Sequence, residues 1–217
     1  MRPILRKAAV MLLASLCFTL SGCAAFQEHN VPDVTDMPSV TQYQHKPKVY
    51  FDVRFFHGQP DVAGSNPTPQ PTGNIESAVD RAAASSGLFS SYSFDEANKT
   101  DADYTIQMYY YDYGSQVGAF ISGFISGFSL GIIPGAGTDH YALRAMVVAK
   151  DGSVLQNLSS EDSVTLWTGI WFIPMMGNTP QKVTDHTLSN MALAAFKQMV
   201  VTKQLKYSEL DVPHTRF

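Results

Sequence analysis

The feature that most restricts the fold of this chain is a run of 26 uncharged residues between Asp112 and Asp139. Its centre, residues 117–133, reads VGAFISGFISGFSLGII and contains the tetrapeptide Ile-Ser-Gly-Phe twice. A repeat of four residues places no consistent class of side chain on either face of a strand. On a helix, the same repeat separates small residues from large apolar residues, which is typical of helices that pack closely together. We therefore predict a tightly packed helical segment or hairpin.

The environment of residues 117–133 is left open by this pattern. Glycine inside a helix costs about 1 kcal/mol relative to alanine, so packing or lipid must compensate. At a rise of about 1.5 Å per residue the segment covers about 25 Å, which is the short limit for a membrane span. A full span, a half-inserted hairpin and a glycine-rich loop buried in the chain's own core are all compatible with it.

A second apolar insert, residues 166–177, reads LWTGIWFIPMMG. Its tryptophans suit the boundary between a membrane and water. In an antiparallel meander, strands at 104–113, 140–149 and 154–165 would bring both inserts to one end of the sheet. A joint patch of this size is expected to meet a membrane or another protein. The predicted contact residues are Phe120, Gly123, Phe124, Gly127, Phe128, Gly131, Trp167, Trp171 and Phe172.

The amino terminus has the pattern of a secretory signal. Three basic residues among the first seven precede an apolar stretch, residues 8–20, that is too short for a membrane span. Residues 20–23, Leu-Ser-Gly-Cys, resemble the lipobox of bacterial lipoproteins. The resemblance implies that residues 1–22 are removed and that Cys23 carries acyl chains, such as palmitate, that anchor it in a membrane. Ala24, in place of aspartate, implies the periplasmic face of the outer membrane.

The composition excludes other classes of protein. With 217 residues, 45% of them hydrophobic, the chain is expected to form one compact domain rather than a disordered polymer. Its formal net charge is -4, and no cluster of lysine and arginine follows the first seven residues, so nucleic acid is not an expected partner. Because Cys17 would leave with the signal and Cys23 would be acylated, no disulfide is expected.

The chain divides into four predicted regions. Residues 1–22 form the signal, and residues 23–47, which are polar and interrupted by prolines, form a flexible lipidated tether. Residues 48–207 form the periplasmic domain, and residues 208–217 form a tail. Within the domain, apolar alternation predicts the main strands at residues 48–56, 104–113, 140–149 and 154–165.

Two helices complete the predicted domain. Asn74 is expected to cap the first, which Gly87 ends, and the second begins at Thr179-Pro180. The second helix has one apolar stripe, formed by Leu188, Met191, Ala192, Ala195, Phe196 and Met199. The predicted fold class is α+β, with a mostly antiparallel sheet of four or five strands, two helices on one face and two apolar inserts at one end.

One motif points to hydrolysis. Residues 127–131 match Gly-x-Ser-x-Gly, with Ser129 followed by Asp162 and His186 in the order found in serine hydrolases. A nucleophile of that kind needs a strand before it and a helix after it, whereas Ser129 lies in a repetitive run of small residues. Two Asp-His pairs lack the spacing of a metal site. We therefore predict no enzyme activity, metal or cofactor, and keep a serine hydrolase as an alternative.

Further runs resemble a group of uncharacterised proteobacterial lipoproteins, which brings no known activity. They are residues 130–141, 162–167 and 174–176, besides the lipobox. More loosely, the order of the elements is similar to the small α/β domain of the curli export channel lipoprotein and to the amino-terminal domain of the Tol system propeller protein. The inserts lack the alternation that barrel strands need, so the resemblance does not extend to a pore.

The leading hypothesis is a non-enzymatic lipoprotein of the outer membrane. Its glycine-rich apolar insert would contact the membrane, a second copy of the chain or another envelope protein. The alternative is a soluble periplasmic binding module, in which the inserts line a pocket for an apolar ligand or an envelope polymer.

Overall fold

A computed structural model gives the structure of the chain, and it describes residues 22–63, 65–114, 123, 126–129, 131–205 and 207–209. The strands are β1 (Gly22–Gln27), β2 (Tyr43–His45), β3 (Lys48–His57), β4 (Thr68–Gln70), β5 (Ser91–Ser93), β6 (Tyr104–Gly114), β7 (Gly135–Ala149), β8 (Val154–Gly169) and β9 (Ser208–Glu209). The α-helices are α1 (Gly73–Ser86) and α2 (Pro180–Val201). A first 3-10 helix spans Glu96–Asp101, and a second spans Ile170–Met175.

Among the described residues, seven strands form one sheet, in the order β1-β8-β7-β6-β3-β4, with β5 also paired to β3. β1 is antiparallel to β8 and β4 to β3, whereas β3 is parallel to both β5 and β6. The sheet as a whole is mostly antiparallel, and with the helices it makes a mixed fold of α and β elements. The predicted count of four or five strands is too low, because β1 and β4 are short and lack the alternation that marks a strand.

The described residues form two compact units. The first unit comprises the described residues of the segments Met1–Glu28, Gly114–His140 and Ser163–Thr184. The second unit comprises those of His29–Tyr113, Tyr141–Asp162 and Asp185–Phe217. The described parts of both apolar inserts therefore belong to the first unit.

The core of the second unit forms where α2 packs on the sheet. Ile106, Met108 and Tyr110 alternate along β6 and are fully buried. The Phe51 ring of β3 lies 5.6 Å, centroid to centroid, from the Phe196 ring of α2. All six members of the predicted apolar stripe of α2 are buried, which confirms that prediction. Burial against this helix gives the second unit its hydrophobic stability.

Helix α1 also matches its pattern, with a small shift at its start. Its apolar or small residues recur at intervals of three and four and are buried, at Ile75, Ala78, Val79 and Ala82, and Gly87 ends it in the left-handed conformation, with φ of 62°. The capping position is Thr72 rather than Asn74, and the Thr72 hydroxyl donates to the Glu76 carboxylate. Arg81 of α1 forms an ion pair with Asp185 of α2, so the two helices are neighbours.

The expected flexible tether differs from the structure. Its first residues lie in β1, and the segment that follows in the second unit buries Val31 and Val40. Asn190 of α2 donates to the carbonyls of Val31 and Pro32 at 3.2 Å and accepts the Val34 N–H at 2.8 Å. A polar, proline-rich segment carries no periodic signal, yet a single amide side chain can hold its backbone. The limits of the signal, domain and tail stay predictions.

Candidate functional site

The predicted acylation site lies in a regular strand of the first unit. β1 pairs with the end of β8, and this places Cys23 opposite Thr168. Cys23 is exposed, whereas Ala24 and Ala25 beside it are buried. On the other edge of β1, the Ala25 N–H donates to the carbonyl of Asn178 at 2.8 Å. The backbone of β1 is therefore held on both sides while Cys23 stays accessible.

The second 3-10 helix follows β8 and packs against the start of β1. A Cβ atom added to Gly22 would lie 2.5 Å from the Ile173 nitrogen, so no larger side chain fits there. The Phe172 ring lies 6.5 Å from the Phe26 ring and 5.6 Å from the Trp167 ring, between centroids. These contacts hold the second insert beside β1.

The two inserts meet backbone to backbone at a pair of glycines. The Ile170 N–H donates to the Gly131 carbonyl at 3.1 Å, and the Trp171 indole N–H donates to the Ile132 carbonyl at 3.0 Å. A Cβ atom on Gly169 would lie 3.0 Å from the Gly131 oxygen, and Gly169 has φ of 148°. A larger residue is disfavoured at Gly169 on both counts. The described ends of the two inserts are therefore in contact.

Among the described residues of the first unit, six large apolar side chains of the two inserts are strongly exposed. Their exposed fractions run from 48% at Met175 to 87% at Phe128. We call this set the apolar rim; its members are Phe128, Ile132, Ile133, Trp171, Met175 and Met176. Sequence reasoning singled out only Phe128 and Trp171. The other four lie in the same charge-free runs, and pattern alone does not show which members of such a run face outward.

Other predicted contact residues lie deeper. Trp167 and Phe172 are half-buried because they pack against each other, with Phe172 also touching Phe26 of β1. Gly131 is buried at the insert junction. These three residues support the surface rather than form its outermost part.

The glycine face of the first insert is open where it is described. Gly123 and Gly127 are exposed, and a Cβ atom on either would meet nothing within 4 Å. Within the described residues, the predicted close approach of a second backbone to these glycines is thus not made. Phe120 and Phe124 lie outside the described residues.

Ser129, the candidate nucleophile, closes a local turn. Its hydroxyl donates to the Ser126 carbonyl at 3.1 Å and accepts the Ile133 N–H at 3.0 Å. This use of a serine side chain to satisfy nearby backbone groups is a common structural role. Asp162, the proposed acid of the hydrolase alternative, is buried and accepts the Asn30 N–H at 3.2 Å.

The described residues offer neither a metal site nor a helix that could span a membrane. In the part of the chain that the structure describes, no group of three or more His, Cys, Asp and Glu side chains could hold a metal ion. None of the described helices combines the length and hydropathy that a membrane span requires.

The second unit carries the clusters of charged residues. Arg144 donates to the Asp61 carboxylate at 2.9 Å and to Glu161 at 3.4 Å, and His57 pairs with Asp112. Ion pairs that are this exposed contribute little to stability. Their geometry fits a structural role on the surface of the sheet.

A cavity of about 340 Å³ lies in the second unit beside β3, β5 and the first 3-10 helix. Its lining includes Lys48, Ser91, Tyr92, Asn98 and Asp101. Sites for apolar ligands are lined mainly by hydrophobic side chains. This cavity therefore gives no support to the alternative of a module that binds an apolar ligand.

No family model matches the chain, and no curated protein matches it either. The structure is similar to that of a minor lipoprotein from Acinetobacter baumannii, with a TM-score of 0.41 and 9% identity, over 80% of this chain and 100% of that one. It is also similar to PelC from Paraburkholderia phytofirmans, crystallised as a dodecamer, with a TM-score of 0.36 and 12% identity, over 81% and 98%.

A third similar structure is a DUF4136 family protein from Bacteroides thetaiotaomicron. Its TM-score is 0.30 and its identity 10%, over 84% of this chain and 96% of that one. At these scores, likeness in structure assigns neither a family nor an activity to this chain.

Proposed function

We propose that this chain is a non-enzymatic lipoprotein, held by acyl chains on Cys23 at the periplasmic face of the outer membrane. It acts by contacting a membrane or a partner subunit through the first unit. The observation that carries the proposal is the apolar rim, which both inserts contribute to the unit that also contains Cys23.

The distribution of exposed apolar residues supports a contact surface. In the part of the chain that the structure describes, the exposed large apolar residues outside the apolar rim are Ile173 of the first unit and the scattered valines Val62, Val154 and Val201 of the second. Single exposed valines are normal on a soluble surface, whereas six large side chains from adjoining segments are not.

The charge distribution points the same way. Among the segments that make up the first unit, the only charged residues after Cys23 are Glu28, Asp139 and Lys182. Depletion of charge is the compositional mark of the core of an interface, and it lowers the cost of removing the surface from water. The second unit holds the other charged residues of the proposed mature chain.

The absence of enzyme activity is proposed from the role of Ser129. Its hydroxyl is engaged on both sides by backbone groups within four residues of it. A serine nucleophile instead needs its hydroxyl directed to a general base. Turnover of ester substrates that Ser129→Ala abolished would contradict this part of the proposal.

Acylation of Cys23 tests the anchor. The full-length chain would be expressed in a Gram-negative host with radioactive palmitate, next to Cys23→Ser and the matched control Cys17→Ser. We expect the wild type and Cys17→Ser to carry label and to sediment with outer-membrane vesicles, and Cys23→Ser to carry none. Absence of label from the wild type, or label that persists in Cys23→Ser, would refute the anchor.

A further inference from the structure

We infer that the apolar rim inserts into the lipid leaflet that holds the acyl chains of Cys23, so that the first unit is mounted directly on the bilayer. This inference rests on the proposed lipid anchor. It goes further in choosing the bilayer, rather than a partner subunit, as the occupant of the rim. It also assigns Trp171 as the residue that marks the depth of insertion.

The anchor lies within the fold and not at the end of a flexible spacer. A flexible tether of about 24 residues would have an end-to-end span of about 27 Å and would leave the domain free to stand away from the membrane. The structure has no such spacer, because Cys23 itself lies in β1 and pairs with Thr168 of β8. The chain after it stays in the sheet, with Ala24 and Ala25 buried. Acyl chains on Cys23 would therefore hold the first unit at the membrane surface.

The anchor also lies close to part of the apolar rim. The second 3-10 helix packs against β1, since its Phe172 ring lies 6.5 Å, centroid to centroid, from the ring of Phe26, three residues after Cys23. The same short helix exposes Trp171 and Met175. The acyl chains and these side chains thus leave neighbouring pieces of backbone.

The side chains of the apolar rim have the chemistry that the boundary of a bilayer accepts. Tryptophan favours the boundary of a bilayer because its ring is apolar while its N–H needs a partner. The N–H of Trp171 already has one, the Ile132 carbonyl at 3.0 Å, so burial of the ring in lipid leaves no unpaired donor. The isoleucines and methionines beside it are apolar throughout, and their insertion adds to the binding that acyl chains provide.

The position of the anchor decides between the two occupants. A partner subunit that covered the rim would have to lie between the first unit and the bilayer that holds Cys23. Since Cys23 lies in β1, and β1 packs against the second 3-10 helix through Phe26 and Phe172, no spacer makes room for such a partner. The bilayer is therefore the occupant that the geometry favours.

The two tryptophans of the chain provide the test. Trp167 is half-buried in the protein and Trp171 is exposed in the rim. The lipidated full-length protein would be purified in detergent and reconstituted into phosphatidylcholine vesicles, with or without bromine on the acyl chains. Wild type, Trp167→Phe and Trp171→Phe would be compared, with acrylamide as the quencher on the aqueous side and mass spectrometry to verify the acyl groups.

We expect brominated lipid to lower the fluorescence of Trp171 by about twofold, as for an indole at the bilayer boundary, and acrylamide to have little effect on it. The Trp171→Phe variant, which retains Trp167, should lose most of the quenching by lipid. Should Trp167→Phe not fold, the comparison of wild type with Trp171→Phe gives the same answer.

Two other results would overturn the inference without touching the anchor. Trp171 that is quenched by acrylamide and not by brominated lipid faces water. Trp171 that neither agent quenches is covered by protein, which would indicate a subunit as the occupant. Protein without acyl groups on Cys23 would refute the proposed function itself, and mass spectrometry distinguishes that failure from the other two.

Discussion

Replacing Asn190 by alanine should destabilise the second unit, because this buried amide holds the chain segment that follows β1. Its side chain makes three hydrogen bonds to backbone groups, to the carbonyls of Val31 and Pro32 and from the N–H of Val34. Asn190→Ala removes all three and puts nothing in their place.

The size of the effect follows from what is left unpaired. A buried backbone group that loses its partner costs about 1–3 kcal/mol. Asn190 and Val31 are buried, whereas Pro32 is exposed and Val34 is half-buried, so water can reach part of what is left. We therefore expect Asn190→Ala to lower the free energy of unfolding by about 2–4 kcal/mol, which is near the lower end of the sum of the costs for three unpaired groups.

Urea denaturation of the unlipidated Cys23→Ser protein, followed by far-ultraviolet circular dichroism, measures this change. Asn74→Ala is the matched control, since Asn74 is exposed near the start of α1 and its replacement should change stability by less than about 0.5 kcal/mol. Hydrogen exchange at the Val34 amide should accelerate in Asn190→Ala. A loss of less than about 0.5 kcal/mol with unchanged exchange at Val34 would show that the segment is not held by Asn190.

Two further predictions concern the insert junction and the core. Gly169→Ala should lower the free energy of unfolding by about 1–3 kcal/mol, because φ is 148° and the new Cβ would lie 3.0 Å from the Gly131 oxygen. Gly177→Ala, with no atom within 4 Å, is the control and should keep the wild-type melting temperature. Burial raises the pKa of Tyr110, so only the unfolded chain ionises at this residue just above pH 10. The free energy of unfolding should therefore fall as pH rises, by up to about 1.4 kcal/mol per pH unit from this group. Urea denaturation of Tyr110→Phe at several pH values should give a smaller decrease of the free energy of unfolding per pH unit.

The parts of the fold that could be predicted are those in which one face is buried along a whole element. In β6 buried and half-buried residues alternate from Tyr104 to Tyr110, and Ile106, Met108 and Tyr110 are buried, with the Tyr110 hydroxyl donating to the Leu188 carbonyl of α2. In α2, Phe196 and its stripe follow the helical period, so burial and sequence agree position by position. Such elements can be predicted because their buried residues recur at every second position in a strand and at every third or fourth position in a helix.

The apolar rim could be predicted in part, for a related reason. The absence of charge predicts that the inserts are not on a fully solvated surface. The predicted meander of strands predicts that the two inserts lie at the same end of the sheet. Neither shows which side chains face outward, because outward direction depends on a backbone turn rather than on a period. Trp167 and Trp171 illustrate this, since they are four residues apart in one insert and only Trp171 is strongly exposed.

The sequence did not predict β1, because its small residues fit the lipobox pattern as well as close packing in a strand. The resemblance to a lipobox already explains a small residue before Cys23. The glycine at position 22 therefore does not indicate a strand or a close contact in the sequence. In the structure the same position has no room for a Cβ, since the Ile173 backbone lies against it. Ala24 and Ala25 are likewise fully buried, although alanine is a weak strand former. Residues of this kind form a strand here because β1 pairs with β8 and packs against the second 3-10 helix. Local strand propensity contains no information about such tertiary contacts.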